Sequence, residues 1–495
     1  LAGHLSTTPR KQDRSALGAN GSFRVQHNQK TFRNWAELES CTPAEYYQPT
    51  TEKEVAAILK HARDCKLAVR VIGSGHSPNA TAMIQGVLIS LDKMDRLLDV
   101  DVSSCTVKVQ AGIRLEVLHE VLDKYGLAMR NLGSISEQSI AGALATGTHG
   151  TGSKFGILAS FVKGVKIMGA DGQVWNCQSG GEHHALFKAA QCHLGVLGIL
   201  LEVDIACEPA FFLRAIQQPS TLSSVLDNLD VLVDSAEHWR FWWFPHTSNC
   251  ITWAANRMHG MSKEEKAVQL SRNAPSLAEK LRRAFVERLL GFHTFRVLLF
   301  LGKFIPGIIP TVNRFFFWLL FSRRRELCDR SDRVFNIDCL FQQYVDEWSI
   351  PREHTAEALR ALERLVVDRG WKVHFPVEVR FVQGDDIPLS TCYGRDSCFI
   401  GVIMYRPFGF DPQDVQEYLM AFEKVMARLG GRPHWAKSFH FRRADFEKCY
   451  PRFAEFERVR EQLDPEGLFD NDFSRNVFGQ RAGEREQQDP SAVKK

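Results

Sequence analysis

The sequence predicts an α+β fold of two or three domains. Three observations lead there. At 495 residues the chain is longer than one hydrophobic core usually serves. Short strands and helices alternate from Trp35 to about Pro209, and the hairpin signal Ala170-Asp171-Gly172 speaks against a doubly wound parallel sheet. Beyond that point the character changes: residues 210–428 read as long helices and aromatic strands, and residues 429–479 return to a compact, polar pattern. The polar ends, residues 1–28 and 480–495, are expected to be a disordered arm and tail.

The elements follow in order. Thr51 with Glu54 three residues later forms a capping-box signature, opening a helix to about Cys65. The β-branched run Val69–Ile72 follows as a strand, and Gly86–Leu91 and Thr106–Ala111 are strands by alternation. Leu115–Tyr125 is an amphipathic helix stopped by Gly126. Val162–Gly169 and Gln173–Asn176 are the hairpin arms, and Leu197–Ala206 is a long apolar strand. In the second region Arg240–Phe244, Val373–Val382 and Cys398–Tyr405 read as strands, and Arg352–Gly370 as a helix.

Composition narrows the function classes. Hydrophobic content of 44% and charged content of 24% are ordinary for globular proteins. A net charge of +4, spread along the chain, does not suit a nucleic-acid partner. The 12 cysteines form no CxxC pair and there is no HExxH, so no metal site is expected.

Three glycine-bearing turns carry the chemistry. Val69–Ile72 runs straight into Gly73-Ser74-Gly75-His76-Ser77-Pro78. Glycines let the backbone approach a ligand, and successive N–H groups make a concavity suited to a pyrophosphate. The second stretch is Asn131–Ser136 continued by Gly142–Gly152. So long a run of small residues implies that something of dinucleotide size packs on bare backbone. Gly133, Ser134 and Ser136 are candidate contacts, followed by Gly142, Ala145 and Thr146, then by Thr148, His149 and Gly150. In the third turn, His193–Ile199, Gly198 and Ile199 suit an adenine or ribose, although a plain turn before a strand has the same pattern. The familiar nucleotide motifs fail in detail. Pro78 stands where GxGxxG needs its last glycine, and Ser153-Lys154 reverses the P-loop order.

Polar candidates lie in the second half. Glu378 and Arg380, two apart on a strand, share one face. Such a pair offers acceptors and donors to a sugar-like ligand, or is a surface cross-strand pair. His434 and Lys437 stand in the rigid stretch Gly430–Lys437, beside Pro433 and Trp435. A lysine in a partly desolvated site can stabilise a developing anion; a solvated loop has the same composition. From Leu289 to Phe321 the chain is apolar but interrupted by Arg296, Lys303 and Arg314, short of the ~20 residues a spanning helix needs. It reads either as a monotopic anchor or as a buried helix pair.

Together these stretches resemble the vanillyl-alcohol-oxidase type of FAD flavoprotein, and within it the aldonolactone oxidases. Further support comes from Asn34-Trp35-Ala36, Tyr46–Thr50, Phe244-Pro245-His246, Asn313–Phe321, Arg406-Pro407 and Gly431–Lys437, and the likeness runs from about Gln29 to Phe478. The resemblance implies a split FAD-binding domain over residues 29–209, a cap over 210–428, and a segment 429–479 completing the site. It implies FAD carried covalently on His76, through a ring nitrogen to the 8α-methyl. Glu378 and Arg380 fall on the family's substrate pair, and Lys437 on its flavin-side lysine. Gly133 falls where oxidases tend to have glycine and a related dehydrogenase alanine. The implied partners are a sugar 1,4-lactone of the L-gulono type and oxygen, giving ascorbate or an analogue and hydrogen peroxide. A dehydrogenase passing electrons to cytochrome or quinone, an open-chain alditol oxidase, and a flavin-binding protein without turnover are the rival readings. The implied location is the endoplasmic reticulum membrane with a lumenal active site, or else a mitochondrial membrane.

Overall fold

The computed structural model describes residues 31–273, 291–336 and 341–481. The expected N-terminal arm, the tail beyond Arg481, and Leu289 and Leu290 of the apolar segment lie outside the described residues.

Three layers build the molecule. In the first, Glu45–Tyr47, Val87–Ser90 and Val69–Ile72 form a parallel sheet with Val87–Ser90 in the middle. Parallel pairing requires a crossover, and the helix Glu52–Asp64 supplies it. Thr51 caps that helix, accepting from the Glu54 N–H at 3.3 Å. The Glu54 carboxylate, however, takes the N–H and hydroxyl of Thr50, one residue earlier than a capping box places it. In the second layer, Val174–Gln178, Val162–Met168, Ile199–Pro209, Thr106–Gln110 and Leu97–Asp101 form an antiparallel sheet in that order. Leu127–Met129 pairs with the far end of Ile199–Pro209. The hairpin at Asp171-Gly172 joins the first two strands, with Met168 opposite Val174 and Gly172 at φ +87°.

The helices Phe453–Leu463 and Asp472–Phe478, near the chain's end, share one hydrophobic core with these two layers. The Val69 N–H donates to the Leu468 carbonyl at 2.7 Å. The first domain is therefore discontinuous in sequence.

The third layer is an antiparallel sheet of eight strands. Its order is Arg325–Arg330, Phe212–Thr221, Asn249–Arg257, His238–Trp243, Val377–Val382, Ser397–Tyr405, Gln343–Pro351 and Arg432–Pro433. Trp239, Phe241, Val377, Val379, Phe381 and Ile400 point to one face and pack under the helices Thr355–Arg369 and Val415–Arg428. The strand expected from Val373 begins at Val377, because Pro376 has no N–H for the ladder. The helix expected from Arg352 begins at Thr355, after a single 3₁₀ turn. Gln343–Pro351, not expected as a strand, lies within the sheet; Asp346-Glu347 interrupts its apolar pattern.

The apolar segment folds as two helices, Thr294–Phe304 and Ile309–Phe321. Leu299, Ile309, Val312 and Phe316 form a small core between them. Asn313 anchors the second helix by donating to the carbonyls of Pro245 and Val373, both at 3.0 Å. The outer face stays open: Phe304 is 66% exposed, Ile305 60% and Trp318 65%. Among the described residues, no helix is long and apolar enough to cross a membrane. Every described cysteine is a free thiol.

Candidate active site

Gly73, Ser74, Gly75, His76 and Ser77 form one wall of a cleft enclosing about 660 Å³, part of it open to solvent. Ser139, Gly142, Ala145 and Thr146 form the facing wall, and Leu194 and Gly195 close one end. A Cβ on Gly73 would fall 2.0 Å from Ser139 Oγ, the oxygen that caps the facing helix. Gly75 takes φ +70°, and its Cβ would meet Phe32 at 2.9 Å. A side chain at either position would have to displace a neighbour.

Arg70 organises the cleft from within its strand. Its buried guanidinium donates to the carbonyls of Leu194 at 2.9 Å, Gly195 at 3.0 Å and Phe469 at 3.1 Å, and to that of Thr81. Burial lowers its pKa to about 10, which leaves it charged at neutral pH. His76 stacks on Trp35 with ring centroids 5.9 Å apart. Its Nδ1 is buried and has no protein partner, and burial lowers its pKa, favouring the neutral ring. A ring nitrogen without a hydrogen-bond partner, on a residue lining a cleft of bare backbone, fits an FAD held there, by contact or by a bond.

Several predicted contacts lie elsewhere. Gly198 and Ile199 do not line the cleft: a Cβ on Gly198 would strike the Met168 carbonyl at 2.3 Å, so strand packing accounts for that glycine. Leu194 and Gly195 take the place expected for them. Pro78, Ser136, Thr148 and Gly150 also lie outside the lining. Gly150 packs against Asn131 and Leu132, each with an oxygen 2.4 Å from where its Cβ would be. Gly133 sits against Thr148 and His149.

The second part of the site is the face of the eight-stranded sheet turned toward the first domain. Arg380 is bonded to Glu378 and donates to Ser134 Oγ at 3.0 Å. Arg240, on the adjacent strand, donates to the same hydroxyl at 3.1 Å and stands 3.6 Å from Glu378. Its guanidinium lies over Trp242 at 4.8 Å and Trp253 at 4.5 Å. Burial disfavours the Arg380 cation, but Glu378 and Glu347 outweigh that and raise its pKa. Glu378 Oε1, Arg240 Nε and Arg380 Nε are buried without a hydrogen-bond partner, Glu378 Oε1 having only the 3.6 Å approach of Arg240. Ser134, read from sequence as a cofactor contact, thus bridges the two arginines.

A third group joins the two. Asn79 donates to the carbonyls of Trp435 at 2.7 Å and Lys437 at 2.9 Å, tying the His76 turn to the Gly430–Lys437 stretch. Trp435 is fully buried and donates to the Leu389 carbonyl at 2.7 Å. The His434 N–H donates to the Glu347 carbonyl at 2.8 Å, and His149 Nε2 lies 3.4 Å from the Glu347 carboxylate. Burial opposes the Glu347 charge, yet His149, Lys437 and His434 bring its pKa well below the ordinary value. Burial holds His434 neutral, at about 3. The ligating atoms of His149, Glu347 and His434 lie within 4.8 Å of one another. The protein's own cations, Lys437 and Arg380, already balance that carboxylate, so a metal is not needed there. Arg240 and Glu347 escaped the sequence reading. Their only signal was a charge inside an otherwise apolar or aromatic strand, in Trp239–Trp243 and in Tyr344–Trp348.

Residues 203–477 match the D-arabinono-1,4-lactone oxidase family, and residues 43–178 match an FAD binding domain. The L-gulonolactone oxidase of Bos taurus is 43% identical over 90% of this chain and 98% of its own. That of Mus musculus is 44% identical over the same 90% and 98%. The L-gulono-1,4-lactone dehydrogenase of Mycobacterium tuberculosis is 33% identical, again over 90% and 98%. A solved structure, a solvent-stable cholesterol oxidase, superposes with a TM-score of 0.70 over 91% of this chain and 98% of that one. At 16% identity it shows the shared two-domain fold alone.

Proposed function

The chain belongs to the D-arabinono-1,4-lactone oxidase family of FAD enzymes, and from that premise we propose that it oxidises the C2 hydroxyl of a sugar 1,4-lactone of the L-gulono type, reducing oxygen to hydrogen peroxide. The observation that carries this reading is the trio of Glu378, Arg380 and Arg240, paired with one another yet holding side-chain atoms that make no hydrogen bond. Buried polar atoms without partners are costly unless a ligand satisfies them.

When bound, FAD would supply a hydride acceptor and the route of the electrons to oxygen. Gly73–Ser77, with Gly142, Ala145 and Thr146 opposite, would hold it. The neutral His76 ring, whose Nδ1 makes no hydrogen bond, would be the attachment point. Glu378 accepts the C2 hydroxyl and Arg380 and Arg240 fix the carboxylate's direction, so the substrate is oriented before reaction. Lys437, whose charge acts on both His76 and Glu347, would stabilise negative charge developing between them. The hydroxyl proton leaves to water or a nearby base, and the 2-keto-lactone tautomerises to the enediol.

Anaerobic titration of the purified protein with L-gulono-, L-galactono- and D-arabinono-1,4-lactone tests the reading. The flavin absorbance is expected to bleach and to return with peroxide on admitting air. No bleaching with any lactone overturns it. In His76→Ala the flavin is expected to separate on denaturation; if it stays with the polypeptide, the attachment lies elsewhere.

The open face of Thr294–Phe304 and Ile309–Phe321 suggests the location. Phe304, Ile305 and Trp318 are exposed, and Arg296 and Lys303 stack over Phe408 and Phe410, at 4.1 and 4.5 Å, on the neighbouring turn. Apolar tips beside cations suit one leaflet of the endoplasmic reticulum membrane, with the active site lumenal. Wild type is expected to float with anionic vesicles, and a Phe304→Ser/Trp318→Ser variant to stay behind. Equal flotation removes this face from membrane contact.

A further inference from the structure

Three neighbouring strands bring Glu378, Gly401 and Glu347 into one row. Glu378 pairs with Gly401, and Gly401 pairs with Glu347. Residues directly opposite in antiparallel strands share a face. Strands stand about 4.8 Å apart, so the backbones bearing the two carboxylates lie roughly 10 Å apart. Gly401 itself adds no side chain between them.

This glycine is unlike those of the cleft. Gly401 is not among the glycines with positive φ. A Cβ there would meet nothing closer than Glu347 Cγ at 3.7 Å, an ordinary contact. Neither conformation nor packing requires glycine, and the Glu347 side chain leans over it, with Cγ, Cδ and Oε1 3.7–3.8 Å from where a Cβ would stand. Glu378 with Arg380 stands on one side of Gly401 and Glu347 with His149 on the other. Both carboxylates keep about a tenth of their side-chain surface open, 13% for Glu378 and 11% for Glu347.

A polyhydroxylated lactone carries donors at both ends, and an acceptor on one side orients only one of them. With Glu378 engaged by the C2 hydroxyl, a reading that rests on the function proposed above, Glu347 is the second carboxylate of the row. We propose that the part of the lactone distal to C2 lies along this row, with Glu347 accepting its hydroxyls, so that residue 401 determines which lactones fit. A charged acceptor gives a strong hydrogen bond, and a site built around it discriminates against analogues lacking the donor.

The test compares six-carbon with five-carbon lactones on the flavin-loaded enzyme. Gly401→Ala is expected to raise KM for the L-gulono- and L-galactono-lactones about tenfold or more. The five-carbon D-arabinono-lactone should shift less, and kcat should fall less than KM rises. Glu347→Gln is expected to weaken the six-carbon lactones most, with Glu347→Asp recovering part of the loss. An equal factor for every lactone, or no change in KM, overturns the proposal. Flavin content and melting temperature show whether Glu347→Gln has folded. If it has not, Gly401→Ala decides alone, since its added methyl meets only ordinary contacts. Lactone binding is also read by tryptophan fluorescence. Selective binding without turnover would refute the proposed oxidation while leaving this binding mode standing.

Discussion

Two regions of this molecule are built by opposite means. The cleft between Gly73–Ser77 and Ser139–Thr146 is shaped by missing side chains, so that main chain would come close to whatever lay there. The inner face of the large sheet is shaped by side chains instead: Arg240, Glu378, Arg380 and Glu347, largely withdrawn from solvent. The first suits a large, constant cofactor, whose pyrophosphate backbone N–H groups would hold. The second suits a small polar substrate, whose hydroxyls must be told apart. Bare backbone gives affinity with little choice, whereas fixed charges give orientation at a cost in desolvation.

The largest effect should come from breaking the charged face. Arg380→Ala leaves Glu378 buried without its bonded cation and Ser134 without one of its donors. Stability should fall by about 3–5 kcal/mol in urea unfolding, and kcat by roughly 10²–10³ or more. Arg380→Lys keeps the charge but not the fork, and should recover stability before activity. If Arg380→Ala keeps most of its activity while losing stability, the face is structural and the contrast between the regions fails.

The next tests the cleft. Gly73→Ala drives a methyl into Ser139 Oγ and displaces a helix cap. It should cost about 1–3 kcal/mol and lower flavin content, with KM for lactone on the loaded fraction little changed. A shift in KM as large as the loss of flavin would mean that the two regions are not separable.

Gly133 lies where the regions approach each other. Its Cβ would sit 3.1 Å from Thr148 Cγ2 and 3.4 Å from the His149 carbonyl, so alanine needs only a small adjustment. Gly133→Ala should fold normally and slow reoxidation by oxygen more than lactone oxidation, as read by stopped-flow absorbance. Equal slowing of both half-reactions would assign Gly133 to packing.

The smallest effect is on pH. Asp385 starts the loop whose Leu389 carbonyl holds Trp435, behind both regions. Burial raises its pKa from 3.8 to about 6. The folded state therefore binds this proton more tightly than the unfolded chain does. The resulting stability is complete below pH 4 and is lost as pH rises through 6, at most about 3 kcal/mol. Relative to Asp385→Asn, wild type should lose ground in melting temperature between pH 4 and 7. A constant difference would mean that the carboxyl titrates normally.

The two regions also differ in how far they could be read from sequence. The Gly73–His76 turn is contiguous and follows a strand, so its shape and exposure follow from local rules. Glu378 and Arg380 were legible because alternation within one strand places them on one face. Gly198 and Ile199 were misplaced because a glycine before a strand marks either a ligand contact or a close strand crossing, and here Met168 is the neighbour. Arg240 and Glu347 were not legible as site residues. Their roles depend on strand pairing across the sheet, which residue period does not encode.

Local chemistry alone thus determined the bare turns, the alternation of the strands and the same-face pairing of Glu378 with Arg380, because backbone freedom and side-chain direction are properties of a few consecutive residues. Tertiary structure alone decided that Ser134 would join two arginines, that Glu347 would face Glu378 across Gly401, and that Asn79 would bind the cleft to the Lys437 stretch. Strand register and the burial of charge depend on partners distant along the chain, and a charge becomes part of a site only when burial makes its pairing obligatory.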